Sequence, residues 1–334
     1  MQVSDSGLKS RPLYGDRACW EWTPVVMAVS AGMWLAACMP LGRTAPQSLP
    51  GSIYAARTGE FVAAEEFVST IASIDFVLLG EMHDNPEHHR LQARLIAAIA
   101  ETGRRPAIVF EMLNADQAVA LDRHLSQRPE DALGLGPAVG WERRGWPPWS
   151  DYLPIGQAAL SLRLPIVVGD LGRATLTATR VSGIAGLPPS LVDQLGLNVD
   201  YEPRQQRELE RLLQESHCDG LPASALARMV TIQRARDGSL AKAMHVGDRQ
   251  SSGGAVLIAG SGHVRNDFGV PWHLKRRAPR RSVATVAFTE IDPDKPKATD
   301  YAYASDGAPL FDYIWFTTSA SRDDPCVGRV RPKP

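Results

Sequence analysis

Four short apolar runs, each broken off by a glycine, an acid or a histidine and separated by helical patterns, limit what this chain can become. Phe76-Val-Leu-Leu79 ends at Gly80-Glu81-Met82-His83, and Ala107-Ile-Val-Phe110 ends at Glu111. Pro165-Ile-Val-Val168 ends at Gly169-Asp170, and Ala255-Val-Leu-Ile-Ala259 ends at Gly260-Ser261-Gly262-His263. Unbroken apolar runs of this length suit strands buried on both faces, and strands alternating with helices suit a parallel sheet. Ser282 to Glu290 reads as a fifth strand and Tyr313 to Thr317 as a sixth. The expected fold is therefore α/β, a mostly parallel sheet flanked by helices.

The segments between the runs support that reading. Asp84-Asn85-Pro86-Glu87 carries helix-start chemistry: Asp84 or Asn85 can cap, Pro86 fits the first turn, and acids suit the positive helix end. Ser52 to Val62, broken at Thr58-Gly59, predicts a small hairpin, and a helix from Ala64 to Ile74 leads into the first strand. The interval from about 174 to 246 reads as helical, including Arg204 to Glu215 and Ser224 to Met244, and predicts a smaller helical subdomain or lid on the sheet's active edge. A hydrophobic content of 44% supplies a substantial core. The near balance of 36 basic and 37 acidic residues gives no support for nucleic-acid binding. The local cluster Lys275-Arg276-Arg277 with Arg280-Arg281 reads as a solvated loop or as a phosphate or propionate contact.

The amino terminus is different in kind. Lys9, Arg11 and Arg17 precede an apolar stretch, Val25 to Ala37, of signal-peptide length and too short to span a membrane comfortably. It closes on Leu35-Ala36-Ala37-Cys38, which resembles the lipobox of bacterial lipoproteins. The expected organisation is a signal peptide over 1–37, lipidation of Cys38, a tether over 38–50, an α/β domain over 51–320 and a disordered tail over 321–334. Acyl chains on Cys38 would hold the protein to a membrane surface. With Cys19 removed and Cys38 lipidated, Cys218 and Cys326 are left, either paired in an oxidising compartment or as free thiols.

In a parallel sheet the carboxyl ends of the strands lie on one edge, where ligands bind. Glu81, His83, Glu111, Asp170 and His263 can therefore converge, as general acid–base catalysis or metal ligation requires, with Glu81, His83 and His263 as the candidate metal set. The plainer alternative is that each caps a helix or satisfies a turn amide. His88 and His89 fall in the first turn of the following helix, about 100 degrees apart, so at most one can face that edge. Three tryptophans and a tyrosine lie within Trp141 to Tyr152, interrupted by Pro147-Pro148. They read as an aromatic loop pinned to the core, or as a surface that stacks on a flat ligand or a second subunit. Tyr152 could offer a phenolate to ferric iron.

Several of these stretches support a family resemblance. Leu79-Gly-Glu-Met-His-Asp-Asn-Pro-Glu-His-His89, Phe110-Glu-Met112, Trp149-Ser-Asp-Tyr152, Gln233-Arg-Ala-Arg-Asp237 and Ala259-Gly-Ser-Gly-His-Val264 with Gly269-Val-Pro271 occur in order. Together they resemble the ChaN family of haem-binding lipoproteins, in the wider Tiki and erythromycin-esterase-like superfamily. The resemblance implies an outer-membrane lipoprotein of the cell envelope, serving haem or iron uptake with an outer-membrane uptake system as partner. It also implies haem held in a homodimer through a tyrosine, best matched by Tyr152, with a partner histidine for which His88 or His89 is the first match. The wider superfamily implies a hydrolytic or divalent-metal site at Glu81, His83, Glu111 and His263. Two departures stand out: Asp170 where the family more often has Asn, and Leu240-Ala241 in place of Met-Ala.

Overall fold

The computed structural model describes residues 48–251, 253–304, 307–322 and 326–327. The expected signal peptide, Cys38 and most of the expected tether fall outside them. In chain order the elements are β1 (Ile53–Ala55), β2 (Glu60–Val62), α1 (Ala64–Ala72), β3 (Phe76–Glu81), α2 (Pro86–Glu101), β4 (Ala107–Asn114), α3 (Ala118–Gln127), α4 (Ala132–Val139) and α5 (Trp149–Ser161). They continue with β5 (Ile166–Asp170), α6 (Arg173–Ser182), α7 (Pro189–Leu195), α8 (Pro203–Ser216), α9 (Ala223–Gln250), β6 (Ala255–Gly260), α10 (Val270–Arg277), β7 (Val283–Glu290), α11 (Thr299–Ala302) and β8 (Tyr313–Thr317). The strands form one eight-stranded sheet in the order β2-β1-β8-β7-β3-β6-β4-β5. From β8 to β5 every pairing is parallel, and the β1–β2 hairpin adds an antiparallel edge.

Strand alternation divides the core in two. Val77, Leu79, Ile108, Phe110, Val256 and Ile258 point to one face, where α2 and α5 lay Leu91, Leu95, Ile99 and Ile155 on them. Phe76, Leu78, Val109 and Leu257 point to the other, under Leu240, Ala241 and Met244 of α9 and Leu274 of α10. Each fully buried leucine or isoleucine contributes about 1.5–3 kcal/mol, so both helical layers are firmly held. The α9 backbone comes close to the sheet at Gly247, where a Cβ would meet that of Ala107 at 2.7 Å. The interval expected as a helical subdomain thus has two characters. Its α6–α8 part has small clusters of its own around Leu209 and Leu195, while the second half of α9 belongs to the main core.

One local expectation needs correction. The Lys275–Arg277 cluster is the last turn of α10 rather than a loop, with Arg276 stacked over Trp272 at 3.6 Å. Arg281 pairs with Asp75 at 3.0 Å and with Asp248. The tail is tied down where it is described: Arg322 pairs with Asp84 and Glu290, and Cys326 is disulfide-bonded to Cys218 with a Cα–Cα distance of 5.5 Å. Among the described residues no helix is long and apolar enough to cross a membrane.

Candidate functional site at the strand ends

Glu81 ends β3 and is buried, with 1% of its surface exposed. Its Oε1 accepts a hydrogen bond from the Tyr152 hydroxyl at 2.6 Å and lies 2.9 Å from His83 Nδ1. Oε2 sits 3.5 Å from His89 Nε2, an electrostatic contact longer than a good hydrogen bond. Burial opposes charge on this carboxyl, but the neighbouring histidines outweigh it and hold it down at about 2. Burial, then Glu81, pushes the Tyr152 phenol far above its ordinary value.

α2 starts where its sequence predicts, with Asn85 accepting the Glu87 amide and Pro86 in the first turn. One of the two adjacent histidines faces the site and the other does not. His89 stacks on Tyr152 with ring centroids 3.9 Å apart. His88 turns away, its Nδ1 accepting the Met82 amide at 3.0 Å and its Nε2 lying 2.8 Å from the Thr317 hydroxyl. Burial pushes it down to about 4, so it is neutral and structural.

Glu111 follows Phe110 in β4, inside the register irregularity between Phe110 and Asn114. Such an irregularity re-aims side chains. Its Oε2 accepts the Gly260 amide at 2.7 Å and its Oε1 accepts from Arg236 Nη2 at 2.6 Å. His263 Nε2 is 3.2 Å from the same Oε1, and His263 Nδ1 is 2.6 Å from Asp237. Burial disfavours the imidazolium, yet Glu111 and Asp237 push His263 up to about 10. Burial also raises Asp237, to about 6, against the pull of His263. Burial opposes ionisation of Glu111, but His263 and Arg236 hold it well below the usual carboxylate range. At Gly260 a Cβ would lie 2.9 Å from His83 Nε2, so any side chain there would displace that ring.

His83 joins the two carboxylates, with Nδ1 on Glu81 and Nε2 3.7 Å from Glu111 Oε2. Burial lowers its proton affinity, but the two acids raise it on balance. Its side chain is 31% exposed, which makes it the cluster's opening to solvent, and its ring lies against Trp146 with centroids 4.9 Å apart. Asp170 is brought in through Arg236, whose Nε donates to it at 2.9 Å.

Four of the five predicted strand-end residues therefore meet directly and the fifth joins through Arg236. Sequence reading assigned no role to Arg236, Asp237 or Gln233, whose amide lies 2.9 Å from His263 Nδ1. Their spacing at 233, 236 and 237 marks one face of a helix, a signal that was available. The metal set is not assembled. Among the described residues no group of three His, Cys, Asp or Glu side chains is placed to hold a metal ion, because Glu81 bonds Tyr152 and His83 while His263 bonds Glu111 and Asp237.

The aromatic segment is also placed differently from the surface reading. Trp141, Trp149 and Tyr152 are buried, with Trp141 Nε1 donating to the Pro147 carbonyl and Trp149 Nε1 to that of Ala132. Pro148 caps α5, so Tyr152 sits inside a helix rather than in a loop. Tyr152, His88 and His89 have no exposed surface. As they stand they do not fit the expected role of iron ligands: the phenol is occupied by Glu81 and strongly held in its protonated form.

A parallel α/β protein with a carboxylate–imidazole–guanidinium network at its strand ends is the class defined by this geometry. A family profile described as haem-binding uptake, Tiki superfamily, ChaN matches residues 67–274, and the chain belongs to that family. ChaN of Campylobacter jejuni, whose structure concerns cofacial haem binding, overlays with a TM-score of 0.61 at 19% identity, covering 79% of this chain and 95% of that one. An erythromycin esterase mutant in its open conformation overlays with a TM-score of 0.41 at 17% identity, covering 82% of this chain and 84% of that one. No curated protein matches the chain.

Proposed function

We propose that this chain binds haem, as a lipoprotein anchored through Cys38 to the cell envelope, where it serves iron uptake. Family membership over residues 67–274 carries the reading. The relative from Campylobacter jejuni is described as binding haem cofacially, which supports a haem-loaded homodimer here. The Leu35-Ala36-Ala37-Cys38 pattern supports the anchor. Bound haem would supply a ferric iron with an affinity for an imidazole nitrogen. At this edge His83 is the ring that reaches solvent, and it is oriented by Glu81 and flanked by Trp146. Hemin titrated into the protein should give a Soret band that shifts in His83→Ala, with size exclusion moving to a dimer on loading. No spectral change with hemin overturns the reading.

A second reading, hydrolysis of an ester, lactone or peptide, is favoured by one observation. His83 is solvent-reached and held between two buried carboxylates, an arrangement suited to proton transfer. Turnover lost in Glu81→Gln with the fold retained would support it, and inactivity across an ester and peptide panel counts against it.

A further inference from the structure

Beside the network lies a cavity of about 570 Å³ whose lining the network does not explain. One wall is a single face of α6, where Arg173, Leu176 and Arg180 recur at helical spacing. Arg144 and Trp146, from the segment before α5, and Ile232 of α9 line the cavity as well.

Charge is out of balance there. Arg236 also lines the cavity but is neutralised by Glu111 and Asp170. No acidic side chain lies within ion-pair distance of Arg144, Arg173 or Arg180 among the described residues. Asp116 accepts the Arg173 backbone amide at 2.9 Å. Arg144 Nε is buried and donates to nothing. Like charges gathered round a cavity repel, and a buried donor without an acceptor is costly, so an entering oxyanion relieves both. A guanidinium fork matches the two oxygens of a carboxylate or phosphate. The half-buried Trp146 ring, with Leu176 and Ile232, supplies an apolar surface for the body that carries them.

We infer that this groove binds a small amphipathic oxyanion, a carboxylate or phosphate on a flat or apolar body, through Arg144, Arg173 and Arg180. The shared chemistry has two sources, the propionates of a porphyrin and a free organic acid or phosphate ester. The inference does not require haem to be the ligand.

Full-length protein is titrated with benzenetricarboxylate and pyrophosphate by calorimetry, and with hemin and hemin dimethyl ester by absorbance. The double variant Arg144→Gln/Arg180→Gln is compared with Arg94→Gln, an exposed arginine on α2. Neither substituted groove side chain holds a structural partner, so thermal melting should be unchanged. At least one anion should lose roughly tenfold or more in affinity in the double variant and none in Arg94→Gln. Weaker binding of the ester than of hemin assigns the site to propionates; equal binding of the two, with benzenetricarboxylate still arginine-dependent, assigns it to a free acid. The inference is overturned if no anion, hemin included, loses affinity in the double variant. Hemin binding that ignores both the arginines and the ester, with no small anion dependent on the arginines either, overturns the groove and leaves the haem reading standing. Arginine-dependent binding of the small acid without hemin binding does the reverse.

Discussion

Glu81 closes β3 and Glu111 follows Phe110, where the regular pairing of β4 stops, on either side of β6, and both are buried. Their partners differ in kind. Glu111 is held by a guanidinium, an imidazolium and a backbone amide, with both oxygens bonded. Glu81 is held by a phenol and a histidine on one oxygen, while its Oε2 and both ring nitrogens of His89 lack hydrogen-bond partners. A permanent cation makes the Glu111 half a scaffold in which Glu111 stays ionised and His263 stays protonated near neutral pH. The Glu81 half is held by groups that can detach or titrate, and it carries the partly exposed His83. If the site rearranges for a ligand, unmade bonds are available on that side.

Removing the permanent cation tests the contrast most severely. Arg236→Met leaves Glu111 and Asp170 without their shared partner, and breaking a buried ion pair from one side costs about 3–5 kcal/mol. Urea unfolding should show a loss of that size. A loss no greater than that from changing the Glu81 partners would erase the distinction between the halves.

One residue from each half should mark an opposite limb of the pH profile. The Glu81 carboxyl is held at about 2 against an ordinary 4.5, so its contribution is present above 4.5 and lost as pH falls toward 2. A displacement of that size corresponds to about 3 kcal/mol. His263 is raised from 6.5 to about 10, so its contribution is complete below 6.5 and lost as pH rises toward 10. Asp237, raised from 3.8 to about 6, works in the same alkaline direction, its contribution falling as pH climbs between those values. Stability measured against pH should show a shallower acid limb in Glu81→Gln, with Glu111 carrying the remainder, and should flatten on the alkaline side in His263→Gln. A single variant that removed both limbs would show one coupled unit rather than two halves.

The contrast was only partly legible in the sequence. Short apolar runs ending in Glu, Asp or His place Glu81, Glu111, Asp170 and His263 on one edge, because parallel strands share their carboxyl ends. Arg236 and Asp237 come from a helix, and spacing says that they share a face without saying what that face meets. Tyr152 was misplaced because Pro147-Pro148 reads as a loop, whereas Pro148 supplies the non-helical cap from which α5 begins. Its pairing with Glu81 spans 71 residues of sequence, a distance over which local pattern carries no information.

That pairing is the smallest and most discriminating test. Tyr152→Phe keeps the ring that stacks on His89 and deletes one hydrogen bond to a buried carboxylate, a change that typically costs about 2 kcal/mol. His83 still bonds the same oxygen, so Glu81 is not stripped of partners as Glu111 and Asp170 are by loss of Arg236. The hemin spectrum of the variant should match that of the parent, because a phenol with no exposed surface, bonded to Glu81, does not reach iron. A changed Soret band would show that haem loading draws Tyr152 out. The Glu81 half would then be the moving part of the site, and its unpartnered atoms would mark where that motion begins.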